Sequence, residues 1–296
     1  MKKHIPILLV VLSFWLGCSM LNKAKEQTTS SNKQPVAVEE KKASVVITPP
    51  KVGDSVIAKW SSSSYHEGKV KSIDGTKAKI IWAGEQSEED VDMTNVYPLP
   101  KAKTEVTAGD FVLAKSIDSD AWYNAQVEKI GDGFIEVKQT SEANTFKTPA
   151  DRIIKVSGIT AEDFKKELAE TNFTSEATKH RPIVLDNYVP KVGEKVLAEW
   201  TENNWYTGKV KKVSADKINI AWLDNSNPSD VSLAGVAPLP EGNSELPSAN
   251  DYILVKENNN HWLYAQVISA IGNNIEVKFA DRENQTIKSS DFAMLR

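Results

Sequence analysis

The sequence predicts an all-β chain of four small antiparallel barrels, set in two tandem A-B pairs and joined by a short helical connector. Three observations predict it. The decamer Lys51–Trp60, KVGDSVIAKW, returns 140 residues later as KVGEKVLAEW at Lys191–Trp200. The echo continues through GKVK at Gly68 and Gly208, a Trp at 82 and 222, Asp-Val at 90 and 230, and PLP at 98 and 238. Self-similarity at a fixed period marks an array of like units. Next, apolar and polar residues alternate: Val196, Ala198 and Trp200 against Leu197 and Glu199, then Ile218, Ile220 and Trp222 against Asn219 and Ala221. That period of two belongs to half-buried strands. Turn signals fall between these runs, at Ser61–Ser64, Asp74-Gly75, Ala83-Gly84 and Asp224 to Pro228. Short strands with frequent turns within about 50 residues suit a small barrel, whose closure leaves few free edges.

A fainter division splits each 140-residue unit. GDFVLAK at Gly109–Lys115 matches GDSVIAK at Gly53–Lys59, and DYILVK begins at Asp251. Each is followed by an aromatic, two variable residues, a small residue, one more residue and Val: YHEGKV from Tyr65, WYNAQV from Trp122, WYTGKV from Trp205 and WLYAQV from Trp262. The expected barrels are A1 at 50–100, B1 at 105–156, A2 at 190–240 and B2 at 247–296, with a connector over 157–189. In the connector Thr160 is placed to cap a short helix, with Asp163 three residues on, close to a capping box. Ala161, Phe164 and Leu168 share one helical face and Glu162 and Lys166 form an i,i+4 pair, so the helix should pack on a neighbouring barrel.

The N-terminus reads as an address. Lys2 and Lys3 precede an apolar run of twelve residues, Ile5 to Leu16, and then Gly17-Cys18. Twelve are too few to span a bilayer, which takes roughly 20, so 1–17 reads as a secretory signal. The Leu-Gly-Cys ending resembles a bacterial lipoprotein lipobox, although Trp15 departs from its usual aliphatic first position. The resemblance makes Cys18, the single cysteine of the chain, a lipidation site. Ser19 after it resembles the outer-membrane sorting pattern. The expected location is the bacterial cell envelope, lipid-anchored, on the outer membrane facing the periplasm or the surface. Residues 18–49 are polar, poor in aromatics and aperiodic, the composition of a solvated linker.

Composition and motif content exclude most chemistries. The 296 residues carry a formal net charge of −4, which argues against a protein built to hold nucleic acid. Lys69, Lys71, Lys209, Lys211 and Lys212 alternate outward on their strands and read as a solvated face. One cysteine allows no internal disulfide and no Cys-based metal site. The phosphate loop, the Gly-x-Ser-x-Gly elbow and His-Glu-x-x-His are all missing. His66, His180 and His261 lack metal-ligand spacing. No catalytic residue, metal or cofactor is expected.

The aromatics are more informative. Seven of the eight Trp lie beyond the signal, all in barrels. Tyr65, Trp122, Trp205 and Trp262 fill one slot in every unit, a recurrence that points to architecture. Trp60 and Trp200 are confined to the A barrels, where the B barrels have Ser116 and Glu257. Trp82 and Trp222 become Gln139 and Phe279. By parity Trp200 and Trp222 end inward-facing rows, where a small barrel opens to solvent. An aromatic group at such a rim either attracts organic cations through the ring quadrupole or seals one barrel against the next.

At these residues the A barrels resemble the Tudor and agenet families, whose units begin Val-Gly-Asp-x-Val/Cys-x-Ala-x-Trp. The resemblance implies SH3-like barrels with an aromatic cage for methylated Lys or Arg. Carried over residue by residue, it makes Trp60, Tyr65 and Trp82 three cage positions, and likewise Trp200, Trp205 and Trp222. The family's fourth cage aromatic falls on Glu85 in one copy and Asn225 in the other. Glu88, Glu89 and Asp90 extend an acidic edge from Glu85. The expected function is therefore a non-enzymatic, lipid-anchored envelope protein binding a protein or peptide with cationic side chains. The alternative is a cell-wall component, with the array as a peptidoglycan-associated SH3-like envelope protein.

Overall fold

Four turns of one kind start the four barrels, and they explain the Gly-Asp of the repeat. The carboxylate of Asp54 accepts the N–H of Lys51 at 2.8 Å. Asp110 accepts that of Thr107, Glu194 that of Lys191 and Asp251 that of Ser248, each at 2.7 Å. The residue before each acid is in the left-handed region, with φ 91° at Gly53, 90° at Gly109, 91° at Gly193 and 74° at Asn250. Glycine has no Cβ to resist that conformation, and Asn is the side chain that tolerates it best. The turned residue's N–H donates to a valine carbonyl on the following long strand (Val70, Val127, Val210 or Val267), and the same valine's N–H donates back to the acid's carbonyl.

The computed structural model describes residues 48–85, 87–184, 188–240, 245–257 and 260–296. The expected signal, Cys18 and almost all of the expected linker lie outside them. The all-β class read from the sequence is what the structure has. Barrel A1 comprises β1 (Ser55–Lys59), β2 (Ser64–Asp74), β3 (Lys77–Trp82), β4 (Glu88–Asp92) and β5 (Val96–Pro98). B1 comprises β6 (Phe111–Lys115), β7 (Trp122–Ile130), β8 (Ile135–Gln139), β9 (Thr145–Thr148) and β10 (Ile153–Lys155). After helix α1 (Ile159–Ala177) come β11 (Lys195–Thr201), β12 (Asn204–Val213), β13 (Lys217–Trp222), β14 (Ser229–Ser232) and β15 (Val236–Pro238) of A2. B2 closes the chain with β16 (Tyr252–Lys256), β17 (His261–Ile271), β18 (Asn274–Lys278), β19 (Gln285–Lys288) and β20 (Phe292–Met294).

Within each unit the first strand pairs antiparallel with the second and the fifth, and the second, third and fourth follow as a meander. The long second strand carries one bulge at the same place in all four, between Val70 and Ser72, Val127 and Lys129, Val210 and Lys212, and Val267 and Ser269. A bulge bends a strand and increases its twist, which lets one strand serve both sides of a barrel this small. Side chains of even parity fill the inside of A1: Val56, Ala58, Val70, Ala78, Ile80 and Trp82. Equivalent rows fill the other three barrels.

Barrels pair through their second strands. Ser64 faces Tyr123 and Tyr65 faces Trp122 between β2 and β7; Trp205 faces Trp262 and Tyr206 faces His261 between β12 and β17. Each A-B pair thereby becomes one ten-stranded sheet. The outward faces at these seams form separate cores. Ile57, Tyr65, Tyr97, Leu113 and Trp122 pack together in the first pair, and Leu197, Trp205, Leu254 and Trp262 in the second. Buried indole N–H groups are satisfied: Trp122 donates to Glu67 at 3.2 Å, Trp205 to the Tyr264 hydroxyl at 3.1 Å and Trp262 to Thr207 at 2.9 Å.

Helix α1 runs to 19 residues, beyond the face that Ala161, Phe164 and Leu168 define. Its cap also differs from expectation. Gly158, with φ 62°, stands at the N-cap and has no side chain to cap with, while Thr160 lies inside the first turn with its hydroxyl on the Tyr97 hydroxyl at 3.1 Å. Glu162 pairs with Lys165, and Lys166 with Glu170. Phe164 enters the first seam beside Tyr65 and Trp122, Asn124 donates to Glu167 at 3.1 Å, and farther along Phe173 meets Tyr252 of the second pair edge-on at 5.7 Å. Past the helix Arg181 reaches Glu199 at 2.5 Å, and Pro182 bridges to Leu295. The connector is thus packed against both pairs.

One turn acid has an electrostatic signature. Burial pushes the Asp110 carboxyl upward, but Lys155 at 2.6 Å, together with the N–H and hydroxyl of Thr107, outweighs it and leaves the group below its ordinary value. A depressed folded-state pKa stabilises the fold above the unfolded value, about 3.9 for Asp, and that contribution is lost as pH falls through the folded value. Asp110→Asn, which keeps an acceptor for Thr107, should therefore lower the urea midpoint at pH 7. The gap to the parent should close as the pH is taken below about 3.9. A gap independent of pH would remove the charge from the account.

Candidate functional site

The two A barrels present the same aromatic end, and strand parity builds it. In A1 the inward row of β1 runs Val56, Ala58 and on to Trp60, and that of β3 runs Ala78, Ile80, Trp82. The inward row of β2 runs back from Val70 through Gly68 to His66. These last residues meet at one rim. Trp60 stands edge-on to Trp82 with ring centres 4.9 Å apart, and edge-on to His66 at 5.4 Å. Trp82 is 3% exposed and forms the floor, while Trp60 is 43% exposed and forms an outer wall.

Gly68 makes room for the floor. It lies opposite Trp82 in the ladder, and a Cβ there would fall 2.5 Å from the Ile80 Cγ2 and 3.5 Å from the Trp82 ring. Gly208 does the same beside Ile220 and Trp222, at 2.2 and 3.5 Å. The small residue of the repeated hexamer is therefore part of the site's construction.

A2 builds a larger version. Trp200, 44% exposed, lies 6.0 Å from Trp222, which is 5% exposed. Tyr206 stands edge-on to both, at 5.3 Å from Trp200 and 6.3 Å from Trp222. His261 of B2 stacks on Tyr206 at 4.5 Å and extends the surface across the seam. Trp200, Tyr206, Thr207, Trp222, Leu223 and Asp224 line a shallow recess. The Trp222 indole N–H donates to Ser229 at 3.0 Å. The N–H and hydroxyl of Ser226 hold the Asp224 carboxyl below the usual carboxylate range, so it stays an anion beside the rings.

The structure corrects two of the expected cage residues. Tyr65 and Trp205 are each 1% exposed, in the seam cores. Their parity on β2 and β12 is opposite to that of Gly68 and Gly208, so they point out of the A barrel toward its B partner. The third ring of each rim is the next residue in the chain, His66 or Tyr206. Counting by twos from Gly68 or Gly208 would have found both.

The positions after the floor Trp do not act as walls either. Glu85 is exposed in the β3–β4 turn and accepts from the Ser87 hydroxyl at 2.8 Å. Asn225 is exposed with φ 66°, a turn conformation that Asn tolerates. The acidic run beyond Glu85 is a strand edge with partners: Glu88 pairs with Lys71 at 2.6 Å and Asp90 with Lys79 at 2.7 Å. The outward lysines Lys69, Lys209, Lys211 and Lys212 are exposed like Lys71.

Fold and rim together define a tandem array of five-stranded barrels with an aromatic end on alternate units. No protein-family model matches the chain, and no curated protein does. Solved structures do match. AGDP1 AGD34 of Arabidopsis thaliana is 18% identical over 35% of this chain and 81% of that one, with a TM-score of 0.29. The four MBT repeats of Drosophila melanogaster Sfmbt, solved in complex with peptide RHR (me)K VLR, are 12% identical over 83% of this chain and 88% of that one, at 0.17. The extended Tudor domain of Drosophila melanogaster Tudor-SN is 15% identical over 59% and 77%, at 0.20.

The two roles of the tryptophans separate in stability. Trp205→Ala empties a fully buried seam position and should cost about 3–5 kcal/mol in chemical denaturation. Trp200→Ala removes a ring that is nearly half in solvent and should cost about 1 kcal/mol or less. Equal losses would place Trp200 in the architecture.

Proposed function

We propose that this chain is a non-enzymatic binding protein whose two A-barrel rims take cationic side chains of a protein or peptide ligand. One observation carries the reading: at the same end of both A barrels an exposed indole leans on a buried one with a third ring beside them, at Trp60, Trp82 and His66 and again at Trp200, Trp222 and Tyr206. Ring faces attract a cation that comes within about 6 Å of the centroid, and the attraction grows where a buried floor excludes water. Weakly hydrated methylated ammonium groups suit such a site, because they lose little on leaving water. Asp224 adds a fixed negative charge at the second rim.

The rings of each rim pack against one another, so an entering cation needs one ring to yield. Trp60 and Trp200 are the rings free to do so. Each ends an inward row at the edge of a turn, and each is exposed where its floor is not. Two rims on one chain also permit bivalent engagement, which raises affinity where a ligand spans both. The proposal includes a lipid anchor at Cys18 that holds the array on the bacterial envelope. It rests on the Lys2-Lys3 start, the apolar run and the Leu-Gly-Cys ending.

Titration with a trimethyllysine peptide, followed by tryptophan fluorescence, tests the rims. The double variant Trp60→Ala, Trp200→Ala should bind at least tenfold more weakly than the parent, a loss of about 1.4 kcal/mol, with an unchanged far-ultraviolet spectrum. Unaltered affinity would sink the reading. Fractionation tests the anchor separately: Cys18→Ala should move the protein from membrane to soluble fractions, and unchanged membrane association would dispose of Cys18 lipidation.

A further inference from the structure

The fourth barrel repeats the rim with a cation already in it. Ladder register matches the two second-pair barrels residue for residue, since Glu199 faces Trp205 and Lys256 faces Trp262. Glu257 therefore stands where A2 has Trp200, Leu263 where it has Tyr206, Phe279 where it has Trp222, and Arg282 where it has Asn225. These four line a recess of about 510 Å³ counted to its open mouth, bordered also by Lys256 and Gln285. The Arg282 guanidinium lies over the Phe279 ring at 5.4 Å. Its Nη1 donates to Glu257, and its Nε and Nη2 donate to the two oxygens of Asp281 at 2.9 and 3.2 Å. The other Glu257 oxygen is 3.3 Å from the His261 ring.

We propose that this rim is a guanidinium-binding site masked by Arg282, and that an arginine side chain of a partner protein takes the place of Arg282 over Phe279 and on Glu257. Three features carry it. Phe279 is buried and fixed, so the ring face stays in place when the guanidinium leaves. Glu257 stands where the A barrels carry indole, and a carboxylate beside a ring face selects a planar fork of N–H donors over a bare ammonium. Arg282 holds its second carboxylate on the adjacent residue, Asp281, so it can swing outward with that ion pair intact. The exchange swaps one arginine for another on Glu257 and leaves no charge unpaired. Masking lowers the apparent affinity by the fraction of time the site stands open. The inference stands apart from the A-barrel reading: His261, which also stacks on Tyr206 of the A2 rim, is the one neighbour the two share, and the exchange on Glu257 and Phe279 does not use it.

Calorimetry with ethylguanidinium on the full chain carrying Trp60→Ala and Trp200→Ala reads this site alone. Adding Arg282→Ala should tighten binding at least tenfold, adding Glu257→Gln should abolish the gain, and propylammonium should bind more weakly than ethylguanidinium. No gain in a variant with an unchanged urea midpoint would overturn the proposal, as would a gain that survives Glu257→Gln. The unsubstituted chain gives a second readout that needs no Arg282 variant. The Arg282 guanidinium protons, which leave the face of Phe279 and the Glu257 carboxylate on exchange, should lose that ring's shift as ethylguanidinium is added, and resonances that stay fixed to saturating probe would overturn masking.

Discussion

A strand points successive side chains to opposite faces, and that constraint organises both pairs of barrels. The long second strand of each A barrel has one face inside its own barrel and the other on the seam with its B partner. Trp205 and Tyr206 are neighbours in the chain, yet Trp205 is locked beside Trp262 and Tyr206 joins the open rim. Tyr65 and His66 divide in the same way. Seam and site are therefore built from one short segment. A register slip of one residue would exchange them, exposing the seam ring and burying the rim ring. The buried aromatic at the seam is what holds the rim residue at its station.

The B barrels show what the rim becomes when other residues fill the same backbone. B1 has Ser116 and Gln139 at the indole positions. Gln139 turns to the Ser141 hydroxyl at 3.1 Å, and Tyr123, which shares the inward parity of Tyr206, packs edge-on to Phe146 at 6.0 Å. B2 has Glu257, Phe279 and a resident arginine. With the scaffold held constant, the side chains at the end of two inward rows decide between an aromatic, a polar and a salt-bridged end.

Much of the fold was legible because the repeat compares like with like. The Gly-Asp turns, the period-two rows and the helical face at Phe164 and Leu168 all follow from residue type and spacing. The seam role of Tyr65 and Trp205 was also legible, since a ring required in all four units is a ring the architecture uses; the resemblance to cage families drew both toward the rim instead. His66 and Tyr206 escaped notice because their slot holds His, Tyr, Tyr123 and Leu263 in the four units, and a slot without a common residue type leaves no trace in a repeat comparison. The length of α1 was hidden for a related reason. Thr171, Asn172 and Thr174 are poor helix formers, and the helix persists through them because Phe173 meets Tyr252 of the second pair and Ala177 is fully buried.

The helix also bears on how the two rims work together. How strongly linked sites reinforce one another is set by the length and stiffness of what joins them. Here α1 places Phe164 in the first seam and Phe173 on Tyr252 of the second pair, while Thr160 and Glu167 fasten it to Tyr97 and Asn124. Beyond it, Arg181 bonds Glu199 and lies 5.7 Å over the Trp205 ring. Those anchors are seam residues or their direct neighbours. The same buried rings that station each rim on its strand therefore also grip the helix between the pairs, and the spacing of the two A rims follows from the seams.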